Sequence, residues 1–117
     1  MTSLIQALPL LPAVFLLAVM NSFSEEMNYR ASQLAVLQGA LSNRHALLLT
    51  AAYFGIGHYY GVPYGIIGVL MAGILGWLPG KSMVETKGFL WAWFIHFLQD
   101  VMIFSFMAIG SIAAGGG

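Results

Sequence analysis

The chain has 117 residues, 60% hydrophobic and only 7% charged, with a formal net charge of zero, no cysteine and a mean hydropathy of +0.86. A soluble domain carries roughly a quarter of its residues as charges, so this composition excludes an ordinary water-soluble fold, and the lack of basic excess excludes a nucleic-acid partner. Without cysteine there are no disulfides, thiolate metal sites or cysteine nucleophiles. Short segments of alternating apolar and polar residues, the mark of a membrane β-barrel, are missing. The expectation is an all-α polytopic membrane bundle of about four transmembrane helices, a single domain over residues 1–117, with the lipid bilayer as its solvent.

The first residues, Met-Thr-Ser, lack the positive flank of a secretory signal, so the first apolar run reads as a retained helix. Pro9 and Pro12 fit a first turn and not an interior, which predicts a regular helix from near Pro12. No further proline or glycine intervenes before Gly39, so the helix extends to about residue 41, with "SEEMNYR" near its middle. "SNRH" (42–45) reads as a polar turn, and a second helix over about 46–60 ends at the turn "GVPYG". The third helix spans about 66–78 and carries Gly68, Ala72 and Gly76, a small-residue stripe suited to close helix approach. "PGKSMVETK" is the next polar loop, a fourth helix covers about 88–112, and Gly115 to Gly117 form a flexible tail. Helices two and three, each about 20 Å long, form a hairpin. Arg44, Lys81 and Lys87 fall on one side of the bundle. The positive-inside rule puts that side in the cytoplasm and both termini outside.

Against this background a few polar residues stand out. Charge within a bilayer costs about 3 kcal/mol even on lenient scales, so such residues face the bundle interior and pair. Glu25, Glu26 and Arg30 lie on the first helix, His58 on the second, His96 and Asp100 on the fourth. Glu26 and Arg30, Phe54 and His58, and His96 and Asp100 are each four apart, so each pair shares one helical face. Taken singly they have plain structural readings: Glu26 with Arg30 as a buried ion pair, His58 as a hydrogen-bonded core histidine, Asp100 as the group fixing the His96 tautomer. Tyr59, Tyr60 and Tyr64 read as interfacial aromatics, and Trp91 and Trp93 as packing anchors. Arg44, His45, Lys81, Glu85 and Lys87 read as loop residues. Taken together, a carboxylate beside a neutral imidazole can activate water, and a second imidazole with a hydrogen-bonding neighbour can stabilise an oxyanion. The same four groups (Glu25, His58, His96, Asp100) would suit a divalent metal, and the two histidines would suit haem.

"EEMNYR", "FGIGH" and "HFLQD" match the motifs EExxxR, FxxxH and Hxxx(N/D), in that order on successive helices. In this the chain resembles the CPBP family (also called Abi), the intramembrane proteases that process CAAX proteins and bacteriocins, over about residues 10–112. The resemblance implies a glutamate-type intramembrane endopeptidase needing no cofactor and no metal. It implies Glu25 as general base, His58 as its partner in activating water, and His96 with Asp100 as the oxyanion site. Glu26 and Arg30 would support the first motif and Phe54 would shape the cavity. Two positions depart from the family pattern: Ala31 stands where glycine commonly follows the arginine, and Asp100 where asparagine is often found. Relatives carry further helices before the first motif, so the chain is expected to be a minimal member or a conserved core. The implied substrate is a membrane-associated peptide or protein, prenylated or leader-like. The short loops point to a prokaryotic cell membrane. The rival readings are a metal-dependent membrane hydrolase using the same residues, and a non-catalytic immunity or scaffold protein.

Overall fold

Between Leu4 and Leu37 the chain is one helical rod of 34 residues, about 51 Å long. The computed structural model describes residues 2–115 and resolves the rod into α1 (Thr2–Ala7), a tight turn over Leu8–Leu10, α2 (Leu11–Glu25), a wide turn over Glu26–Ala31, and α3 (Ser32–Leu37). The rod begins earlier than Pro12. Pro9 sits in the first turn of the tight segment and Pro12 in that of α2, and neither position requires the missing N–H. A helix at 3.6 residues per turn cannot keep an i, i+4 row on one side, because each step of four overshoots by about 40°. Yet Val14, Ala18, Ser22, Glu26, Arg30 and Leu34 are all buried. The wide segment, where the Ser32 N–H reaches back five residues to the Met27 carbonyl, gives up part of that overshoot and keeps Glu26 and Arg30 inward.

α4 (Asn43–Gly57) is entered through Ser42, whose Oγ accepts from the His45 N–H at 3.4 Å. The expected turn at 42–45 is thus an N-cap followed by the first helical turn, and Arg44 and His45 are helical. α4 ends at Gly57, and residues 58–65 form the turn, closed by Gly65 at φ +82°, a value that favours glycine.

α5 (Ile66–Thr86) does not stop at residue 78. Pro79 stays inside the helix, and the expected loop "PGKSMVETK" is helical as far as Thr86, so Lys81 and Glu85 are not loop residues. An interior proline loses one backbone bond and costs about 3 kcal/mol, but here Pro79 and Gly80 are buried, and a methyl on Gly80 would lie 2.6 Å from Leu47 and 3.4 Å from the Arg30 side chain. That tertiary fit carries the helix through, and Lys87 ends it in the left-handed conformation. α6 (Leu90–Gly115) follows. Of the expected glycine tail, Gly115 closes α6, while Gly116 and Gly117 lie outside the described residues.

The four rods form an all-helical membrane bundle, as expected, with no strand among the described residues. Among the described residues three helices are long and apolar enough to cross a membrane: Leu4–Leu37, Ile66–Thr86 and Leu90–Gly115. α4, about 22 Å long, is the short partner of α5. The two meet where a methyl on Gly55 would lie 2.6 Å from the Val69 carbonyl and 3.1 Å from Gly73 Cα. The approach of backbone to backbone uses Gly55 and Gly73, while the Gly68–Ala72–Gly76 stripe serves close contact through its two glycines. Gly68 lies under the Pro63 carbonyl, and Gly76 lies under Phe54 and Arg30. The bundle is inside-out relative to a soluble protein. Large apolar side chains such as Leu70, Ile74 and Phe106 face outward, while Glu26 and Arg30 are 0% and 1% exposed.

Candidate active site

Among the described residues six polar ones are buried: Ser22, Glu26, Arg30, Thr50, His96 and Asp100. Two satisfy themselves within their own helix. Ser22 Oγ donates to the Ala18 carbonyl at 2.6 Å, and Thr50 Oγ1 donates to the Ala46 and Leu47 carbonyls at 3.1 and 3.0 Å. Of the other four, Arg30 and His96 both meet Glu26, and Asp100 is bound by Asn21. Glu26 Oε2 and Arg30 Nη2 keep no hydrogen-bond partner among the described residues. With Glu25 and His58 these four make one cluster between the rod, α4 and α6.

Glu26 is its hub. Arg30 Nη1 donates to Glu26 Oε1, and the His96 ring meets the same oxygen through Nδ1 at 2.7 Å. A carboxylate already paired with a guanidinium is an acceptor, so His96 Nδ1 carries a proton and donates. That fixes the imidazole. It also corrects the reading of Asp100 as the group that sets the His96 tautomer, because Glu26 does so, while Asp100 Oδ1 stands 3.5 Å from the opposite nitrogen, Nε2. Glu26 is more than a partner for Arg30: it ties the rod to α6.

Arg30 lies behind the site. Its guanidinium sits 4.8 Å over the Phe54 ring, and its stem runs past Gly76 and Gly80. A methyl on Gly76 would lie 2.6 Å from Phe54 and 3.0 Å from Arg30 Nη2. Phe54 is the wall of the site: its ring centroid is 4.3 Å from that of His58 and 5.7 Å from that of His96.

Glu25 faces forward. Its Oε2 is buried and has no hydrogen-bond partner among the described residues. It stands 3.8 Å from His58 Nε2 and 3.5 Å from His96 Nε2. His58 Nδ1 is 2.8 Å from the Phe54 carbonyl. A carbonyl only accepts, so Nδ1 carries the proton, and in the neutral ring Nε2 presents a lone pair toward Glu25. Glu25, His58, His96 and Asp100 are thus brought together, with Glu26, Arg30 and Phe54 supporting them from behind. All seven residues singled out in the sequence belong to one site.

Asn21 was not singled out and belongs there as well. Its Nδ2 donates to Asp100 Oδ2 at 3.1 Å. The signal was available: Asn21 is a polar residue inside the apolar run, four positions before Glu25 on the same face.

His58, His96 and Asp100 open onto a cavity of about 290 Å3 whose remaining walls are largely apolar, among them Val62, Met71, Ile103 and Met107. A larger cleft of about 500 Å3 on the outer face of α4 and α5 is lined by Leu48, Ile56 and Trp77 and has no ionisable side chain, so it offers no reactive group. Among the described residues no three histidine or acidic side chains are grouped so as to hold a metal ion. What the arrangement offers is an unpartnered carboxylate oxygen, Glu25 Oε2, 3.8 and 3.5 Å from two imidazole nitrogens whose rings line an apolar cavity.

No curated protein and no solved structure matches the chain at a significant level. A family model does match, over residues 7–102, which covers all three motifs and every residue of the cluster. That family is one of membrane-embedded endopeptidases, which implies proteolysis of a membrane-associated protein substrate. The chain belongs to the type II CAAX prenyl endopeptidase Rce1-like family.

Proposed function

We propose that the protein hydrolyses a peptide bond of a membrane-associated protein with water activated by Glu25 and His58, and with His96 and Asp100 on the oxyanion side. The observation that carries this reading is Glu25 Oε2, buried and unpartnered, 3.8 Å from His58 Nε2 and 3.5 Å from His96 Nε2. Separations of this size exceed a direct hydrogen bond and suit a reactant water between the groups.

In the proposed reaction the water gives one proton to Glu25 Oε2 while its other hydrogen is held by the His58 Nε2 lone pair. The oxygen adds to the scissile carbonyl carbon, and the C=O electron pair moves onto oxygen. In this step His96 acts as the imidazolium, with Nδ1–H kept on Glu26 and Nε2–H donating to that oxyanion. The proton on Glu25 passes to the amide nitrogen, the C–N bond breaks, and an amine and a carboxylic acid leave. No covalent enzyme intermediate forms. The Arg30 charge is already taken up by Glu26 behind the Phe54 ring, so the cavity takes the uncharged, apolar flank of the substrate. A prenylated or leader-type segment meets that demand.

The test is Glu25→Gln, which keeps shape and hydrogen-bonding capacity but cannot take a proton. Cleavage of a quenched-fluorescent prenylated peptide by purified protein in liposomes should fall at least about a hundredfold, the usual worth of a general base. Near-normal turnover in a variant that melts like the wild type would remove Glu25 from the reaction.

A further inference from the structure

The least explained contact in the site is the one between Asn21 and Asp100. An ionised carboxylate beside a developing oxyanion is unfavourable unless it acts through another group. Asp100 has such a group on one side, since its Oδ1 is 3.5 Å from His96 Nε2. On the other side Oδ2 accepts from Asn21 Nδ2 at 3.1 Å. Asp100 is 5% exposed, and Asn21 is the neutral donor that holds it. The two oxygens therefore stand differently: Oδ2 is pinned by the amide, and Oδ1, free of a hydrogen bond among the described residues, faces His96 Nε2 at 3.5 Å. The His96 ring is hydrogen-bonded to Glu26 at Nδ1 and faces Asp100 Oδ1 across 3.5 Å at Nε2.

We propose that Asn21 is a positioning residue for the oxyanion side of the site: by binding Asp100 Oδ2 it aims Oδ1 at His96 Nε2 and sets the direction of that N–H toward the reacting carbonyl. The proposal rests on the proteolytic reading above, but the contact itself can be tested without turnover. Without Asn21, Asp100 is free to rotate away from the ring, and the His96 N–H loses its aim in the transition state more than in substrate binding. The loss should fall on kcat and spare KM.

The decisive set is Asn21→Ala, Asn21→Leu, Asn21→Asp, and the exchange Asn21→Asp with Asp100→Asn. Asn21→Ala should lower kcat about tenfold, the worth of one hydrogen bond to a charged group, with KM within about twofold. Asn21→Leu fills the space and restores packing, so it should melt like the wild type and still show the low kcat. Asn21→Asp sets two carboxylates against each other and should be worse than Asn21→Ala. The exchange keeps the charge count and reverses the donor, so it should recover most of the kcat lost by Asn21→Asp alone. Wild-type kcat in Asn21→Leu, or an exchange no better than Asn21→Asp, would overturn the proposal. The second readout is the 15N signal of His96 Nε2 in substrate-free, histidine-labelled protein, assigned through His96→Gln. It should shift in Asn21→Ala and return in the exchange, and an unmoved signal would overturn the positioning role. If the wild type hydrolyses nothing, the proteolytic reading fails, and the 15N signal alone decides whether Asn21 orients the ring.

Discussion

Replacing Arg30 by alanine is the perturbation whose size the structure specifies best. Glu26 is 0% exposed and Arg30 1%, and the two are joined by a direct ion pair within one helix. Removing the guanidinium leaves a carboxylate in a bundle where no water reaches it, which typically costs about 3–5 kcal/mol. His96 Nδ1, 2.7 Å from the same oxygen, remains as a partner and keeps the loss toward the lower end. Against that, the contact of the guanidinium with Phe54 is lost too, worth about 0.5–2 kcal/mol. The expected destabilisation is therefore about 4 kcal/mol. The assay is unfolding by titrated SDS in mixed micelles, followed by the fluorescence of the three tryptophans. Glu26→Gln combined with Arg30→Met removes both charges, keeps an amide oxygen for His96 and fills the space over Gly76. It should recover more than half of the loss. If Arg30→Ala unfolds within about 1 kcal/mol of the wild type, the pair is worth no more than an exposed one, and the account of a buried hub is wrong. A stable but inactive Arg30→Ala protein would move Arg30 from support into the reaction itself.

Gly76→Ala should destabilise by about 1–3 kcal/mol through overpacking against Phe54 and Arg30, whereas Gly110→Ala, with open space around it, should be neutral or gain up to about 1 kcal/mol; equal effects would refute the close fit. Single cysteines test orientation cleanly because the chain has none of its own. Lys81→Cys should be shielded from impermeant thiol reagents in intact cells and Gly115→Cys labelled, and the opposite pattern would invert the bundle. Prolonged chelation should leave turnover unchanged. A loss restored by zinc would reassign Glu25 and His58 as metal ligands.

The first helix was legible because no proline or glycine interrupts residues 13–38, although it starts before the two prolines and ends at Leu37, a turn earlier than the expected residue 41. α5 was not legible past residue 78, because "PG" followed by lysine is locally a stop signal. It is overridden by contacts with Leu47 and the Arg30 stem, which belong to other helices. The site shows the same division. Spacing of four put Glu26 with Arg30, and His96 with Asp100, on single faces, and these faces do converge. Spacing cannot say which oxygen meets which ring nitrogen across two helices, so Glu26 rather than Asp100 as the partner of His96 Nδ1 needed coordinates. Asn21 escaped notice because attention to formal charge passes over an amide, although an amide in lipid also needs a partner.

The distribution of hydrogen bonds separates what holds this site from what reacts in it. Burying apolar surface gives little drive for helix association when the surroundings are lipid, so close backbone contact and polar bridges must do it. α4 and α5 have the close contact, at Gly55 and Gly73. The rod and α6 have two polar bridges: Glu26 to His96, and Asn21 to Asp100. Arg30, seated against Gly76 and Gly80, links the rod to α5 as well. Glu26 and Arg30 hold the bundle, and their replacement should show first in unfolding. The bridge from Asn21 to Asp100 also orients the oxyanion side, and Asn21 can be replaced by a residue of like volume without loosening the bundle. Glu25 and His58 are different. Among the described residues Glu25 Oε2 has no hydrogen-bond partner, and the His58 ring has one hydrogen bond, to the carbonyl of Phe54 in its own helix. Neither holds two helices together, so both are free to exchange protons with a third molecule without loosening the bundle. Two polar groups spared from structural duty, facing each other beside an apolar cavity that His58 lines, are what a hydrolytic site in a membrane requires.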